Sequence, residues 1–255
     1  MGEVTPLFIF GMGRSGTTNA LRVLNTHPSV MLNGEISLAV QKQFFALLDG
    51  VERSYAEKDE TFEAWRARKA DYMFESFGFL SKGGRGQLKK IPNARYRGHK
   101  TPRAENLFDR YEAHFRAAGL EPRYFYCARN PFDCWRSYKR TSWNSHDSVE
   151  SFVSQYIESF THLAEMQRRA GERVVVLNLD GLISAAEPMA WYREHVFAPL
   201  DLDMPDGVIQ RIAKYEAAKD AGENSALSAE EKKTISLHPV MAGLIEQMFA
   251  TTVPR

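Results

Sequence analysis

At 255 residues, with 44% hydrophobic and 25% charged side chains, the chain is long enough for one large α/β domain and has the composition of an ordinary globular protein. Its 33 basic and 32 acidic residues nearly cancel, which argues against a general nucleic-acid binder, because such proteins carry a strong positive excess. No apolar run approaches the length of a membrane span, the first strand begins too early to leave room for a cleavable signal, and Cys127 and Cys134 match no zinc spacing; a soluble, cytoplasmic protein with buried free thiols and no metal is expected.

The first organised stretch is Leu7-Phe8-Ile9-Phe10-Gly11-Met12-Gly13-Arg14-Ser15-Gly16-Thr17-Thr18. Four apolar residues predict a short buried strand, the glycines and serine a turn, and the apolar spacing from Asn19 to Asn25 a helix. A loop of this kind turns backbone N–H groups toward an anion at the positive end of a helix dipole, so its expected ligand carries a phosphate. Gly11 and Gly16 have the spacing of a Walker A loop, but Thr17 stands where that motif has its lysine. The one cation within the loop is Arg14, whose planar fork suits a single terminal phosphate or a bridging oxygen better than a triphosphate. A nucleoside monophosphate ester is therefore favoured over ATP or GTP.

Ser29 to Leu32 reads as a second strand, ended by the turn Asn33-Gly34-Glu35. In an open parallel sheet ligands bind at the carboxyl ends of the strands, which would put Glu35 on the same edge as the phosphate loop. From the residues alone a capping or solvated glutamate fits equally well. Between about 37 and 97 no strand is evident; Ala39 to Leu48 and Phe62 to Leu80 have helical periodicity, the second with Phe62, Trp65, Tyr72, Phe74, Phe77 and Phe79. This predicts a helical insertion that covers one edge of the sheet and walls a substrate pocket. Its tail concentrates Lys82, Arg85, Lys89, Lys90, Arg95 and Arg97 among glycines, a mobile basic loop that is either a solvated charge run or a lid favouring anionic acceptors.

Gly98-His99-Lys100-Thr101-Pro102-Arg103 follows, then a helix from Ala104 to Ala118, a strand from Pro122 to Ala128, and the turn Arg129-Asn130-Pro131 into a helix reaching about Arg140. Proline is at home in a first helical turn, where its missing N–H would be unpaired anyway. Ser137 lies eight residues beyond Arg129, so a second strand-to-helix turn is equipped for an anion. Ser148 to Arg169 is an amphipathic helix, Arg173 to Leu179 a buried strand, Ala186 to Leu200 a helix, and the segment from Gly207 is helical apart from polar Lys219 to Ser225. The alternation predicts an α/β fold, a P-loop-like central parallel sheet flanked by helices, in a single domain spanning 1–255.

With Arg14-Ser15-Gly16-Thr17-Thr18 and Arg129-Asn130-Pro131 through Ser137 both in place, the chain resembles the sulfotransferases that use 3′-phosphoadenosine 5′-phosphosulfate (PAPS). The resemblance implies that Arg14, Ser15, Gly16, Thr17 and Thr18 bind the 5′-phosphosulfate and that Arg129 and Ser137 bind the 3′-phosphate. From Arg14 to Glu35 the sequence looks most like the tyrosylprotein sulfotransferases and related bacterial enzymes. By that likeness Glu35 is the general base toward a hydroxyl acceptor, Lys100 of Lys100-Thr101-Pro102 lies near the transferred group with Arg14, and His27 is structural. Adenosine 3′,5′-bisphosphate is the implied product, and neither metal nor nucleic acid is implied. Two departures stand out: Asn178-Leu179-Asp180-Gly181-Leu182 replaces the family's Tyr-Glu-Asp-Leu, and no Arg-Lys-Gly closing motif occurs near the C-terminus, leaving Lys219 to Ser225 as the substitute. A P-loop kinase or NTPase is the competing reading, disfavoured by Thr17; a non-catalytic nucleotide-binding module is the third, disfavoured by Glu35 with Lys100.

Overall fold

The computed structural model describes residues 4–55, 59–81, 94–141, 146–217 and 226–249. The apolar run after Val4 forms strand β1 (Thr5–Gly11), and helix α1 (Thr17–Leu24) follows after the glycine-rich turn. Next come β2 (Val30–Asn33), the helices α2 (Leu38–Tyr55) and α3 (Asp59–Leu80), β3 (Tyr96–Lys100), α4 (Phe108–Ala117), β4 (Arg123–Ala128), α5 (Pro131–Lys139), α6 (Val149–Ala170) and β5 (Val174–Asn178). The rest of the described chain is helical: α7 (Leu179–Ser184), α8 (Pro188–Tyr192), α9 (Asp206–Ala217), α10 (Ala229–Leu237) and α11 (Pro239–Phe249).

All five strands are parallel, in the order β2-β3-β1-β4-β5. The chain leaves β1 toward one edge and later crosses to the other, so the carboxyl end of β1 is a topological switch point between β3 and β4, where open α/β sheets form their ligand crevice. Alternation along β1 sends Phe8 and Phe10 to one face and Leu7 and Ile9 to the other, all four fully buried. The first face packs Tyr124 and Tyr126 of β4 against aromatic and aliphatic residues of α3, α4 and α6; the second packs Phe125 against α1, α9 and the segment around Phe197.

Three expectations change. The segment 96–100 is a strand in the middle of the sheet, although its sequence, Tyr-Arg-Gly-His-Lys, carries no apolar pattern. The helical insertion lies over a face of the sheet rather than along an edge: Phe77 of α3 meets Phe8 of β1 with ring centroids 6.0 Å apart and His99 of β3 at 4.7 Å. The strand β5 is itself an edge, with Val175 and Val176 only half-buried. In the basic tail, Lys82, Arg85, Lys89 and Lys90 lie outside the described residues, while Arg97 is buried within β3, its guanidinium 3.8 Å from Asp71 and over the Phe74 ring. The segment 219–225 also lies outside the described residues.

Candidate active site

The carboxyl ends of β1 to β4 surround a cavity of about 590 Å³. From the first loop come Gly13, Arg14, Gly16, Thr17 and Thr18; Glu35 and Leu38 enter from beyond β2, Arg103 from beyond β3, and Arg129, Ser137 and Tyr138 from β4 and α5. Separate strands thus bring Arg14, Gly16, Thr17, Thr18, Glu35, Arg129 and Ser137 to one place, whereas Ser15 and Lys100 are not among the lining residues.

The loop is shaped for an anion. Gly16 caps α1 with φ 100°, a left-handed conformation that glycine adopts without steric cost, and offers no side chain to the first-turn N–H groups. The first turn of α1 holds no acidic residue, so nothing offsets the positive end of its dipole. Arg14 is also left-handed, at φ 67°, as is Arg103 at 64°. For a residue with a Cβ this costs about 1–2 kcal/mol, and two of the three such residues among those described face this cavity. Strain of this kind collects at functional sites.

Arg14 and Ser137 are joined directly: Arg14 Nε donates to Ser137 Oγ at 2.8 Å, and Arg129 Nη1 reaches the Arg14 carbonyl at 3.5 Å. The two strand-to-helix turns are therefore neighbours. Arg129 is held at its own backbone, its carbonyl accepting from the Tyr156 hydroxyl at 2.6 Å, while Asn130 caps α5 by accepting from Phe132 N–H. Arg129 Nε is buried with no hydrogen-bond partner among the described residues. A guanidinium nitrogen left so is a donor waiting for an acceptor, and these residues fit a phosphorylated ligand.

Lys100 does not itself line the cavity, but its Nζ donates to two residues that do, Glu35 Oε1 at 2.5 Å and Thr18 Oγ1 at 3.3 Å. Lys100 is almost wholly buried, whereas the Glu35 side chain is 48% exposed. One carboxylate oxygen thus faces a cation and the group as a whole remains open to a substrate. Ser15 behaves differently from its loop neighbours: it is buried, its hydroxyl donates to the Met12 carbonyl at 2.5 Å, and it lines the back of the loop rather than the cavity. His27 is buried, accepts from Ser29 N–H at 3.1 Å and sits 3.4 Å from Asp203, a structural position.

Three contributors had no signal in the sequence reading. Arg103 lines the cavity and is tied to Gln155 and, at 2.5 Å, to Glu158 of α6. Glu105, fully buried, accepts from Gly11 N–H at 3.2 Å and from the Ser159 hydroxyl, anchoring the loop; burial pushes its carboxyl above the usual range. Tyr138 of α5 approaches Gly13 so closely that a Cβ there would lie 1.9 Å from its hydroxyl. Partners far apart in sequence decide these contacts. Cys127 and Cys134 are free and buried, and burial pushes both thiols up to about 12. Asp49, Glu52 and His114 come within metal-ligand distance of one another, yet Lys69 and Arg110 are ion-paired to the two carboxylates and none of the three lines the cavity.

The fold is shared with solved sulfotransferases. STF9 from Mycobacterium avium aligns at 16% identity and TM-score 0.54, covering 96% of this chain and 77% of that one. The sulfotransferase domain of the Synechococcus PCC 7002 olefin synthase aligns at 16% identity and TM-score 0.52, covering 92% and 94%. STF1 from Mycobacterium tuberculosis H37Rv aligns at 13% and 0.51, covering 95% and 78%. No curated protein sequence matches. The sulfotransferase family model matches residues 6–193, a span that contains the whole cavity from the Arg14 loop to Ser137, and the chain belongs to that family.

Proposed function

We propose that the protein transfers a sulfuryl group from PAPS to a hydroxyl acceptor, with Glu35 as general base. The observation that carries this reading is the Arg14–Ser137 hydrogen bond: it joins the two candidate anion sites around one cavity that is also lined by Glu35, whose carboxylate is paired to buried Lys100. A single nucleoside with phosphates on both the 3′ and 5′ positions of its ribose suits two such neighbouring sites, and a triphosphate suits them poorly without a Walker lysine.

When bound, the nucleotide supplies a sulfuryl group whose sulfur–oxygen bond to phosphate breaks, with the electron pair left on phosphate, as the new bond to the acceptor oxygen forms. The protein's part is to orient and to stabilise charge, as in phosphoryl transfer. Arg14 and the N–H groups of Gly16, Thr17 and Thr18 hold the 5′ end, Arg129 and Ser137 the 3′-phosphate. Lys100, between Thr18 and Glu35, meets negative charge as it develops on the leaving side. Glu35 takes the proton of the acceptor hydroxyl, leaving Lys100 free to turn toward the anion. The acceptor can itself be anionic.

Thermal melts and label transfer test this together. Adenosine 3′,5′-bisphosphate is expected to raise Tm and ATP with magnesium to leave it unchanged, because only a ligand of the native state stabilises it by mass action. Arg129→Ala should lose the bisphosphate shift while keeping that of adenosine 5′-monophosphate. Labelled PAPS offered to sugars, phenols, tyrosine peptides and lipid alcohols should pass label to one class. Better protection by ATP than by the bisphosphate would overturn the nucleotide assignment.

A further inference from the structure

Beneath Glu35 lies a cluster of polar side chains in an aromatic core. Gln41, His99, Thr101 and Tyr111 are each at most 4% exposed, and His99 packs against Phe8 and Phe77 with ring centroids 5.2 and 4.7 Å away. Burying four polar groups there is costly unless every one is paired. Each of them is, in a closed circuit.

Ile36 N–H donates to Thr101 Oγ1 at 3.1 Å, and Ile36 O accepts from Gln41 Nε2 at 2.7 Å. Because a carbonyl can only accept, the Gln41 amide has its nitrogen there and its oxygen turned to Tyr111, whose hydroxyl must donate to it. Tyr111 then accepts from His99 Nε2–H at 2.7 Å, and His99 Nδ1, left without a proton, accepts from the Thr101 hydroxyl at 3.2 Å. The circuit runs from the amide of Ile36 through Thr101, His99, Tyr111 and Gln41 back to the carbonyl of Ile36, which also lies 3.3 Å from the Thr101 hydroxyl as a second acceptor for its one proton. Burial, reinforced by the Lys100 charge, holds the His99 imidazole down at about 3, and a neutral ring that donates from Nε2 has a bare Nδ1 to take the Thr101 proton.

The circuit reaches the site directly, since Ile36 and Thr101 are among the residues lining the cavity, and it is joined to both members of the Glu35–Lys100 pair through the chain. Ile36 follows Glu35 in the chain, and Lys100 lies between His99 and Thr101, pointing the opposite way by strand alternation. Thr101 is pinned to the sheet by its N–H on the Ile9 carbonyl at 3.0 Å. We infer that this buried ring is a positioning device: by gripping both amides of Ile36 from β3, α2 and α4, it fixes Glu35 against Lys100 at the reacting end of the cavity. A fully satisfied polar network rigidifies what it joins. The inference rests on the reading of Glu35 as base.

Tyr111→Phe removes the hydroxyl that links His99 to Gln41 with little change in volume, and Thr101→Val removes the one that grips Ile36; Thr101→Ser retains it. Both losses should speed hydrogen exchange over 34–41 while bisphosphate affinity is unchanged. With labelled PAPS and the acceptor found in the panel, kcat should fall by up to about 10²-fold, the cost of an ångström-scale misplacement, with the acceptor KM little altered. Thr101→Ser should keep the wild-type rate. In a Glu35→Gln background Tyr111→Phe should lower kcat no further, because the group being positioned is gone. Full kcat in Tyr111→Phe and Thr101→Val, or the same fold loss with and without Glu35, would reduce the ring to core packing and leave the base standing. Wild-type turnover in Glu35→Gln would overturn the base and this inference with it.

Discussion

Glu35 and Lys100 are 65 residues apart and share a proton-bearing contact at 2.5 Å. Their unequal exposure is what the proposed roles require: a base must be reached by its substrate, whereas a charge kept dry interacts more strongly with its partner. Glu35→Gln retains the size of the side chain and an oxygen for Lys100 but removes the base, so kcat should drop by about 10²–10⁴-fold with bisphosphate affinity unchanged. Lys100→Ala should lower kcat and also weaken nucleotide binding if the ammonium meets the anion before and during transfer, as proposed. Steady-state kinetics paired with bisphosphate titration separates the two, and a Glu35→Gln enzyme of normal kcat would return that residue to a turn.

Among the elements, β3 is the one on which the site depends most. It pairs with β1 and β2 in register, Leu7 opposite Gly98 and Ile9 opposite Lys100. A Cβ at Gly98 would lie 1.9 Å from the Leu7 carbonyl oxygen, a backbone atom held in the central strand. The alanine variant must therefore spread β1 from β3. Gly98→Ala is expected to cost about 1–3 kcal/mol or more, as overpacking does, and to weaken transfer because Lys100 rides on the displaced strand. Urea unfolding together with kcat measures both; a variant as stable as wild type would show that the strand pair can yield at this point.

Across the whole molecule, the C-terminal helices are fastened to the helix that carries Ser137. Glu231 of α10 accepts from Trp135 Nε1 at 2.8 Å and Lys139 Nζ at 3.0 Å, both on α5, and from Ser228 N–H at 2.7 Å in a capping box. Burial alone would raise its carboxyl, but these donors and the lysine charge outweigh it and hold the group down at about 2 against 4.5 when unfolded. A lowered carboxylate contributes stability in full above its unfolded value and loses it as pH falls toward the folded one. The wild-type protein should therefore exceed Glu231→Gln in urea midpoint above pH 4.5, and the gap should close as pH drops toward about 2. A gap independent of pH would assign the contact to packing instead of charge.

The order of elements was legible because local signals carry it. Phe8 and Phe10 alternate with Leu7 and Ile9, glycine-rich punctuation follows β1, and Pro131 opens α5; each depends on neighbours within a few residues. The glycine-rich turn after β1 and the turn holding Arg129, with Ser137 eight residues on, stood out for the same reason, whereas the roles expected of Arg129, Ser137 and Glu35 came from the family resemblance. Strand β3 was not legible. Arg97, His99 and Lys100 are polar residues buried in the middle of a sheet, and each is tolerated only because a partner supplied from elsewhere meets it: Asp71 and Phe74, Thr101 and Tyr111, and Glu35. Nor could spacing bring Ser137 onto Arg14 or Glu105 onto Gly11, contacts spanning 123 and 94 residues. The sequence by itself determined the alternation of strands and helices and the chemistry held at each strand end, because both are encoded in residues close along the chain. The tertiary structure decided which strand ends share one cavity and which buried charges are paired, because desolvation makes those groups' positions depend on partners that only the folded sheet brings within reach.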